Sequence, residues 1–374
     1  MGPQSRPLGP RPESGPGSRL SEGDLGLCLV TGGSGYLAGH LTRALLERGA
    51  PGVRGIDLRD PVVEHRAYEF HRGDLRRYED VLKACEGVDT LFHTASIVDF
   101  AGVVRPERRR RSVDLNVGAT RHLLRAAAAS GVSRFVYTST SNVLIGRPAV
   151  DADSSTPYPD RSFDLYSETK ATAEREVLAA NGTPNGRDGL LTCALRPGGI
   201  YGEGDPFYLP TMIDKCARGL LFASFGDGSA LSDNTYIGNL VHGEILAARA
   251  LVPGAACAGR AYYVTDGEPI NRMEFFRPLI EAMGYRFPRV RLPLRPLLWL
   301  AHAWEVLSRY GLAPEPLVTR MQVMAVAVSH SGSIAETRRD LGYEPPFDWR
   351  QAREACIPWC REVLARMQAG EWPS

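Results

Sequence analysis

The sequence has no apolar run of the roughly 20 residues needed to span a bilayer. The nearest candidate, Leu292 to Leu307 ("LPLRPLLWLAHAWEVL"), is interrupted by Pro293, Arg295, Pro296, His302 and Glu305. It predicts a buried or amphipathic helix, with contact at a membrane surface as the alternative. A surplus of either charge is also missing. The formal net charge is +1, so no global field draws the chain to nucleic acid or to an acidic surface, and no nucleic-acid partner is expected. The seven cysteines are odd in number and scattered. Only Cys356 and Cys360 lie close together, without a second pair or nearby histidines, which argues against a zinc site and for a reducing compartment. The first 25 residues are rich in Pro, Gly and Ser and lack the apolar core of a signal peptide. Arg6 stands where a myristoylation motif needs Ser or Thr, and the terminal "EWPS" is no prenylation box. A disordered tail is expected there. "NGT" at Asn181 reads as a polar turn. These features predict a cytoplasmic location, with peripheral attachment to an intracellular membrane as the alternative. They leave the oligomeric state open, a homodimer included.

What the sequence does contain is apolar material for a sizeable core, 43% of its 374 residues. From Leu25 onward, short apolar runs alternate with helical patterns. "GLCLVTGG" predicts a strand entering a Gly-rich turn, and "HLTRALLERG" a helix stopped at Gly49. "GVRGID", "VDTLFHTAS" and "RFVYTS" predict further strands. "YEDVLKACEG" and "LNVGATRHLLRAAAASG" predict helices between them. This βαβαβ rhythm predicts an α/β fold, a Rossmann-type doubly wound parallel sheet whose strand carboxyl ends share one ligand-binding edge. "LLTCALRPGGIYG" (190–202) and "RAYYVTDG" (260–267) add two more strands to the same sheet. Residues 26–205 are assigned to the dinucleotide-binding domain, and 206–374 mainly to a smaller substrate-binding region.

"TGGSGYLAGH" places Gly32, Gly35 and Ala38 at dinucleotide-fingerprint spacing between a strand and a helix. The logic is a tight turn, close backbone approach to a pyrophosphate, and a helix N-terminus aimed at its oxygens. Asp57 ends the second strand, where a carboxylate binds ribose hydroxyls and repels a 2′-phosphate, so NAD is favoured over NADP. Arg59 is the counter-signal. Asp74, in "GDL", suits an adenine amino group or an N-cap for a helix starting near Arg76.

"YSETK" places Tyr166 and Lys170 four apart, on one helical face. An ammonium beside a phenol lowers its pKa toward the range of a useful base. "YTSTSNV" brings a row of hydroxyls to the end of a strand. Thr138 reads as strand, and Ser139 and Ser141 alternate away from Thr140, but parity alone leaves open which side faces the chemistry.

These pieces, with "FHTAS", "LNVGAT" and "LRPGGIYGEGD", occur in the order found in extended short-chain dehydrogenase/reductases, which the chain resembles. "TYIGNLVHGEILAA" and "LGYEPP" resemble the 3-beta-hydroxysteroid dehydrogenase/isomerase branch, especially family 42E. The resemblance implies Tyr166 as general acid/base, Lys170 as its electrostatic partner and ribose ligand, Thr140 in the place of the catalytic serine, with Ser139 the second choice, and Asn116 supporting a water relay. It further implies a cofactor wall of Gly32, Gly35, Tyr36, Ala38, Asp57, Asp74, Leu75, Thr94 and Ala95, with Pro197 and Gly198 near the nicotinamide. The sequence departs from the family at Ala38, at "NVGAT", and at Thr140. The function implied is NAD-dependent oxidation of a secondary alcohol on a sterol-like substrate. The alternatives are a nucleotide-sugar or small-ketone enzyme of the same fold, and a dinucleotide sensor without turnover. "RPERRRRS" (105–112) reads as a solvated loop, His242 as a helix-surface or packing residue, and Tyr262 and Tyr263 as strand.

Overall fold

A computed structural model describes residues 24–99, 105–145, 149–162, 164–316 and 318–372. The predicted tail falls almost wholly outside them. The first half contains strands β1 (Leu27–Thr31), β2 (Gly52–Asp57), β3 (Tyr68–Arg72), β4 (Thr90–His93), β5 (Arg134–Thr138), β6 (Ala149–Ala152) and β7 (Leu191–Pro197). Between them lie helices α1 (Tyr36–Glu47), α2 (Tyr78–Cys85), α3 (Pro106–Val113), α4 (Ala119–Ala129) and α5 (Leu165–Ala179). The second half adds β8 (Gly199–Tyr201), α6 (Tyr208–Ala217), β9 (Ala223–Phe225), β10 (Asn234–Tyr236), α7 (Ile237–Ala250), β11 (Arg260–Val264) and α8 (Arg272–Ala282). It ends with β12 (Val290–Leu292), α9 (Leu294–Arg309), α10 (Arg320–Ala327), β13 (His330–Gly332), α11 (Ala335–Leu341), α12 (Trp349–Ala355) and α13 (Ile357–Gln368).

Seven strands form one parallel sheet in the order β11-β7-β5-β4-β1-β2-β3. The strand order reverses beside β1, so a crevice opens at the carboxyl ends of β1 and β4, the position where doubly wound folds bind ligands. Leu41 and Leu45 of α1 and Leu240, Val241 and Ile245 of α7 cover one face. Val81 of α2, Leu123 of α4, and Ala173 and Val177 of α5 cover the other. A third core joins α6, α8, α12 and α13 around Leu209, Phe275, Trp349 and Cys360.

Several expectations are corrected. The strand expected over 190–202 is two strands. β7 stops at Pro197, and β8 pairs with β10 in a separate small sheet. The break falls at Gly198, where a Cβ would stand 2.5 Å from the Asp233 carbonyl oxygen. The basic run is a helix, α3, with Pro106 pre-set for its first turn. Arg109 reaches Glu168 of α5 at 2.5 and 3.0 Å, which gives the run a docking role that a loop reading misses. Helix α2 starts at Tyr78, not near Arg76, and its N-cap position is Arg77. Asp74 is therefore not its cap; its carboxylate is bound by Arg76. Helix α9 buries only Ala301 and Glu305, so the buried-helix reading of Leu292–Leu307 fails and the amphipathic one stands. Among the described residues no helix is long and apolar enough to cross a membrane.

Candidate active site

The crevice at the sheet reversal is a cavity of about 380 Å³ walled by Gly32, Gly35, Tyr36, Ala38, Asp57, Asp74, Leu75, Thr94 and Ala95. Nine of the residues singled out from sequence therefore meet in one wall. Gly32, at φ +68°, makes the turn, and a Cβ there would stand 3.1 Å from the Ala95 Cα. A Cβ on Gly35 would stand 2.9 Å from the Gly32 carbonyl oxygen. Both glycines keep backbone free to approach a ligand. Helix α1 has no side-chain cap and no acidic residue in its first turn, so its positive end is open to an anion. The Tyr36 hydroxyl is buried without a partner among the described residues. At the far wall, Asp57 accepts from the Ser34 N–H at 3.2 Å and the Arg59 N–H at 3.0 Å. Each of its oxygens keeps a lone pair for a ribose hydroxyl. The Arg59 guanidinium, largely exposed, is 3.8 Å from that carboxylate.

Arg111 also lines the cavity, from α3. The sequence reading missed it because it is one arginine in a run of four. Only the helical phase of α3 singles it out.

A hydrogen-bonded chain ties this wall to α4. The Thr31 hydroxyl oxygen accepts from the Thr94 and Ala95 N–H groups and lies 2.9 Å from His93 Nδ1. His93 Nε2 lies 2.9 Å from the Thr120 hydroxyl, which donates to the Asn116 carbonyl at 2.8 Å. Because Thr120 donates onward, Nε2 carries the proton and Nδ1 accepts. Burial pulls the His93 pKa down to about 3, so the ring stays neutral. His93 itself does not wall the cavity, unlike its neighbours Thr94 and Ala95.

The second cluster lies where β5 ends. Tyr166, Lys170, Thr140 and Asn116 are all buried. Asp164 caps α5 by accepting from the Ser167 N–H at 2.8 Å, which starts the helix one residue before Tyr166. Thr140 and Tyr166 hydrogen-bond through their side chains, and this bond lowers the Tyr166 pKa. Burial, the larger effect, and the Asp164 carboxylate push it well above the ordinary tyrosine range. Lys170 is not among the influences that shift the Tyr166 pKa. Its Nζ donates to the Thr138 carbonyl at 2.6 Å and sits 4.2 Å over the Tyr137 ring.

Asn116 lies in a π-turn, Asp114–Gly118, between α3 and α4. The "NVGAT" departure thus coincides with a local change of helix. Its side-chain oxygen accepts from the Ile97 N–H and the Ser96 hydroxyl, and its amide donates to the Ile97 carbonyl and the Thr169 hydroxyl. With both N–H groups and both lone pairs used, this amide is a clamp, and none of its sites is left for a water relay.

Among the strand-end hydroxyls, Thr138 donates to Glu244 at 2.5 Å, and Ser139 Oγ is buried without a partner among the described residues. Only Thr140 reaches Tyr166 through a described bond. Thr140→Ala is expected to lose most turnover and Ser139→Ala to keep most of it. Initial rates of reduced-cofactor formation check this, and the opposite ranking moves the role to Ser139. Pro197 and the Tyr166 cluster do not wall the 380 Å³ cavity. They lie further along the same sheet edge, at the ends of β7 and β5. All seven cysteines are buried and free, and among the described residues no group of His, Cys, Asp and Glu fits a metal ion.

The sequence model of the 3-beta hydroxysteroid dehydrogenase/isomerase family matches residues 29–294. The chain belongs to this family. A 3 beta-hydroxysteroid dehydrogenase/Delta 5-->4-isomerase of Mycobacterium tuberculosis is 42% identical over 92% of this chain and 93% of its own length. The short-chain dehydrogenase/reductase family 42E member 1 of Bos taurus is 40% identical, over 87% of this chain and 86% of its own. Among solved structures, gox2253 superposes with a TM-score of 0.70 at 26% identity, over 93% of this chain and 99% of that one. The match spans both clusters of this family member's site.

Proposed function

We propose that the protein is an NAD-dependent dehydrogenase that interconverts a secondary alcohol and a ketone on a 3-beta-hydroxysteroid or related sterol. The observation that carries this reading is the Thr140–Tyr166 hydrogen bond beside buried Lys170, on the same sheet edge as the glycine-cradled crevice. The open end of α1, the unpartnered Tyr36 hydroxyl and the Gly32–Gly35 turn fit a dinucleotide. Arg111 suits its anionic part, and Asp57 its adenosine ribose, which favours NAD. The bound nicotinamide would supply the hydride acceptor. Tyr166 takes the proton of the substrate hydroxyl as phenolate and returns it in the reverse direction. Thr140 orients the reacting oxygen. Lys170, held by the Thr138 carbonyl, places a positive charge for the cofactor ribose. The deciding experiment screens purified protein against 3-hydroxysterols with NAD and with NADP, following reduced-cofactor absorbance. Sterol turnover faster with NAD is expected. No turnover of any sterol overturns the reading.

A second reading rests on another cavity, of about 720 Å³, lined by Phe225, Phe287, Arg277, Arg286, Arg289 and Arg291 among others. Glu274, paired with Arg277 at 2.7 Å, and Glu281 line it too, but the four arginines leave the lining net cationic, which suits an anionic ligand such as a nucleotide sugar. A melting-temperature shift with nucleotide sugars and none with sterols would select it.

Peripheral attachment to an anionic membrane surface is also proposed, through α9. Trp299, Leu300, Val306, Leu307 and Tyr310 form an exposed apolar stripe at helical spacing. Trp299 is 76% and Tyr310 74% exposed. The helix's one acid, Glu305, is turned inward onto Arg320 at 2.7 Å, whereas Arg295 and Arg309 face out. A stripe of this kind lies in a headgroup layer without crossing it. The wild type should co-sediment with phosphatidylserine-containing vesicles, and Trp299→Ser with Leu300→Ser should lose most of that binding. Equal pelleting of the two proteins would remove α9 from the account.

A further inference from the structure

Helix α7 carries a carboxylate into the interior beside the candidate catalytic lysine. Ile237, Leu240, Val241, Glu244 and Ala248 fall on its buried face, and Glu244 is fully buried. One oxygen accepts from the Thr138 hydroxyl at 2.5 Å, and the other is buried without a partner among the described residues. Thr138 thus faces two ways: its hydroxyl goes to Glu244, and its carbonyl takes the Lys170 ammonium at 2.6 Å. A buried ammonium and a buried carboxylate are each costly alone and tolerable as a pair.

The groups around them narrow the assignment. Glu174, on α5 with Lys170, is the largest influence holding the lysine's pKa up, but it is already matched by Arg196. His93 on β4 is neutral. Tyr137 on β5, Tyr166 on α5 and Cys193 on β7 are all pushed up by burial and stay uncharged in this setting. Glu244 is the remaining carboxylate acting on Lys170; burial raises its own pKa to about 7, against the Thr138 bond and the Lys170 charge, so it is ionised above neutral pH. We propose that Glu244 is a positioning residue for Lys170, acting through Thr138 to keep the ammonium charged and fixed at the end of β5.

Burial pulls the Lys170 pKa down, while Glu174 and Glu244 hold it up. Removing the Glu244 charge lets it fall further, so the lysine loses its proton at lower pH. Direct repulsion of the phenolate by Glu244 is not among the effects on Tyr166, where Asp164 is the acid that counts. Glu244→Gln keeps an oxygen for Thr138 and removes only the charge. In this variant the alkaline limb of the kcat/KM profile for alcohol oxidation is expected to move down by about one pH unit.

The pH profile rests on the dehydrogenase reading; a melting cycle does not. Glu244→Gln, Lys170→Met and the double variant are melted without substrate. The double variant is expected to lose clearly less than the sum of the two single losses, because each single variant strands the other charge. Additive losses overturn the pairing, as does a profile that scales down without moving. If no alcohol is turned over, the dehydrogenase reading fails and the melting cycle still decides the role of Glu244.

Discussion

Tyr166→Phe is expected to lower kcat by about 10²- to 10⁴-fold, the range for loss of a positioned acid/base, while NADH still binds. The substitution removes one hydroxyl whose described partner is Thr140, and the ring keeps its buried place on α5. The cofactor crevice is walled by other residues, so fluorescence titration with NADH should give nearly the wild-type affinity. A variant that turns over normally would remove Tyr166 from the reaction. Loss of NADH binding would make the defect structural.

The same tyrosine fixes the direction of the pH dependence. Burial and Asp164 raise its pKa above the ordinary range, and Thr140 only partly offsets them. Below that pKa the phenolate fraction grows tenfold per pH unit. Wild-type alcohol oxidation should therefore rise with pH until Lys170, whose pKa burial lowers to about 7, loses its proton, and ketone reduction, which needs the phenol, should not rise. Lys170 turned toward Thr138 explains why the phenol lacks the help that a bare Y-x-x-x-K spacing implies.

That difference marks where sequence reading reaches its limit. The sheet and its crevice were legible because each unit is local: an apolar strand, a Gly-rich turn, an amphipathic helix. Gly32, Gly35, Ala38, Asp57 and Asp74 followed, since strand carboxyl ends share one edge, whereas Tyr36, Leu75, Thr94 and Ala95 came from the family resemblance. Side-chain partners were not legible where the separation is long. Thr138 and Glu244 are 106 residues apart, and Arg196 and Glu174 meet across 22. One trace was present: in "IGNLVHGEILAA" Glu244 occupies a position of the apolar helical face, where a charge has to find a partner. Asn116 was found by motif, but its saturated amide is visible only with Ile97 and Thr169 in place. The Gly198 break between β7 and β8 depends on Asp233, which sequence proximity does not announce.

Glu174→Ala is expected to cost about 3–5 kcal/mol, the range for removing one partner of a buried ion pair. Arg196 is 2% exposed and Glu174 fully buried. The guanidinium donates to both carboxylate oxygens, at 2.6 to 3.2 Å, and the Tyr158 hydroxyl donates at 2.5 Å. Glu174 lies one helical turn beyond Lys170, and Arg196 immediately precedes Pro197. The pair therefore fixes the Tyr166–Lys170 helix to the strand end expected beside the nicotinamide. Alanine leaves Arg196 charged in the interior, with the Tyr158 and Tyr263 rings, 5.5 and 5.7 Å away, as poor compensation. The denaturant midpoint measures the loss. Replacing both residues, Glu174→Leu with Arg196→Met, should recover much of the stability, since an apolar pair strands no charge. It should not restore activity to the same degree, because an apolar contact lacks the two-pronged geometry that sets the angle of α5. A Glu174→Ala protein as stable as the wild type would mean that water reaches the arginine, and the pair would then have no such role in aligning the site.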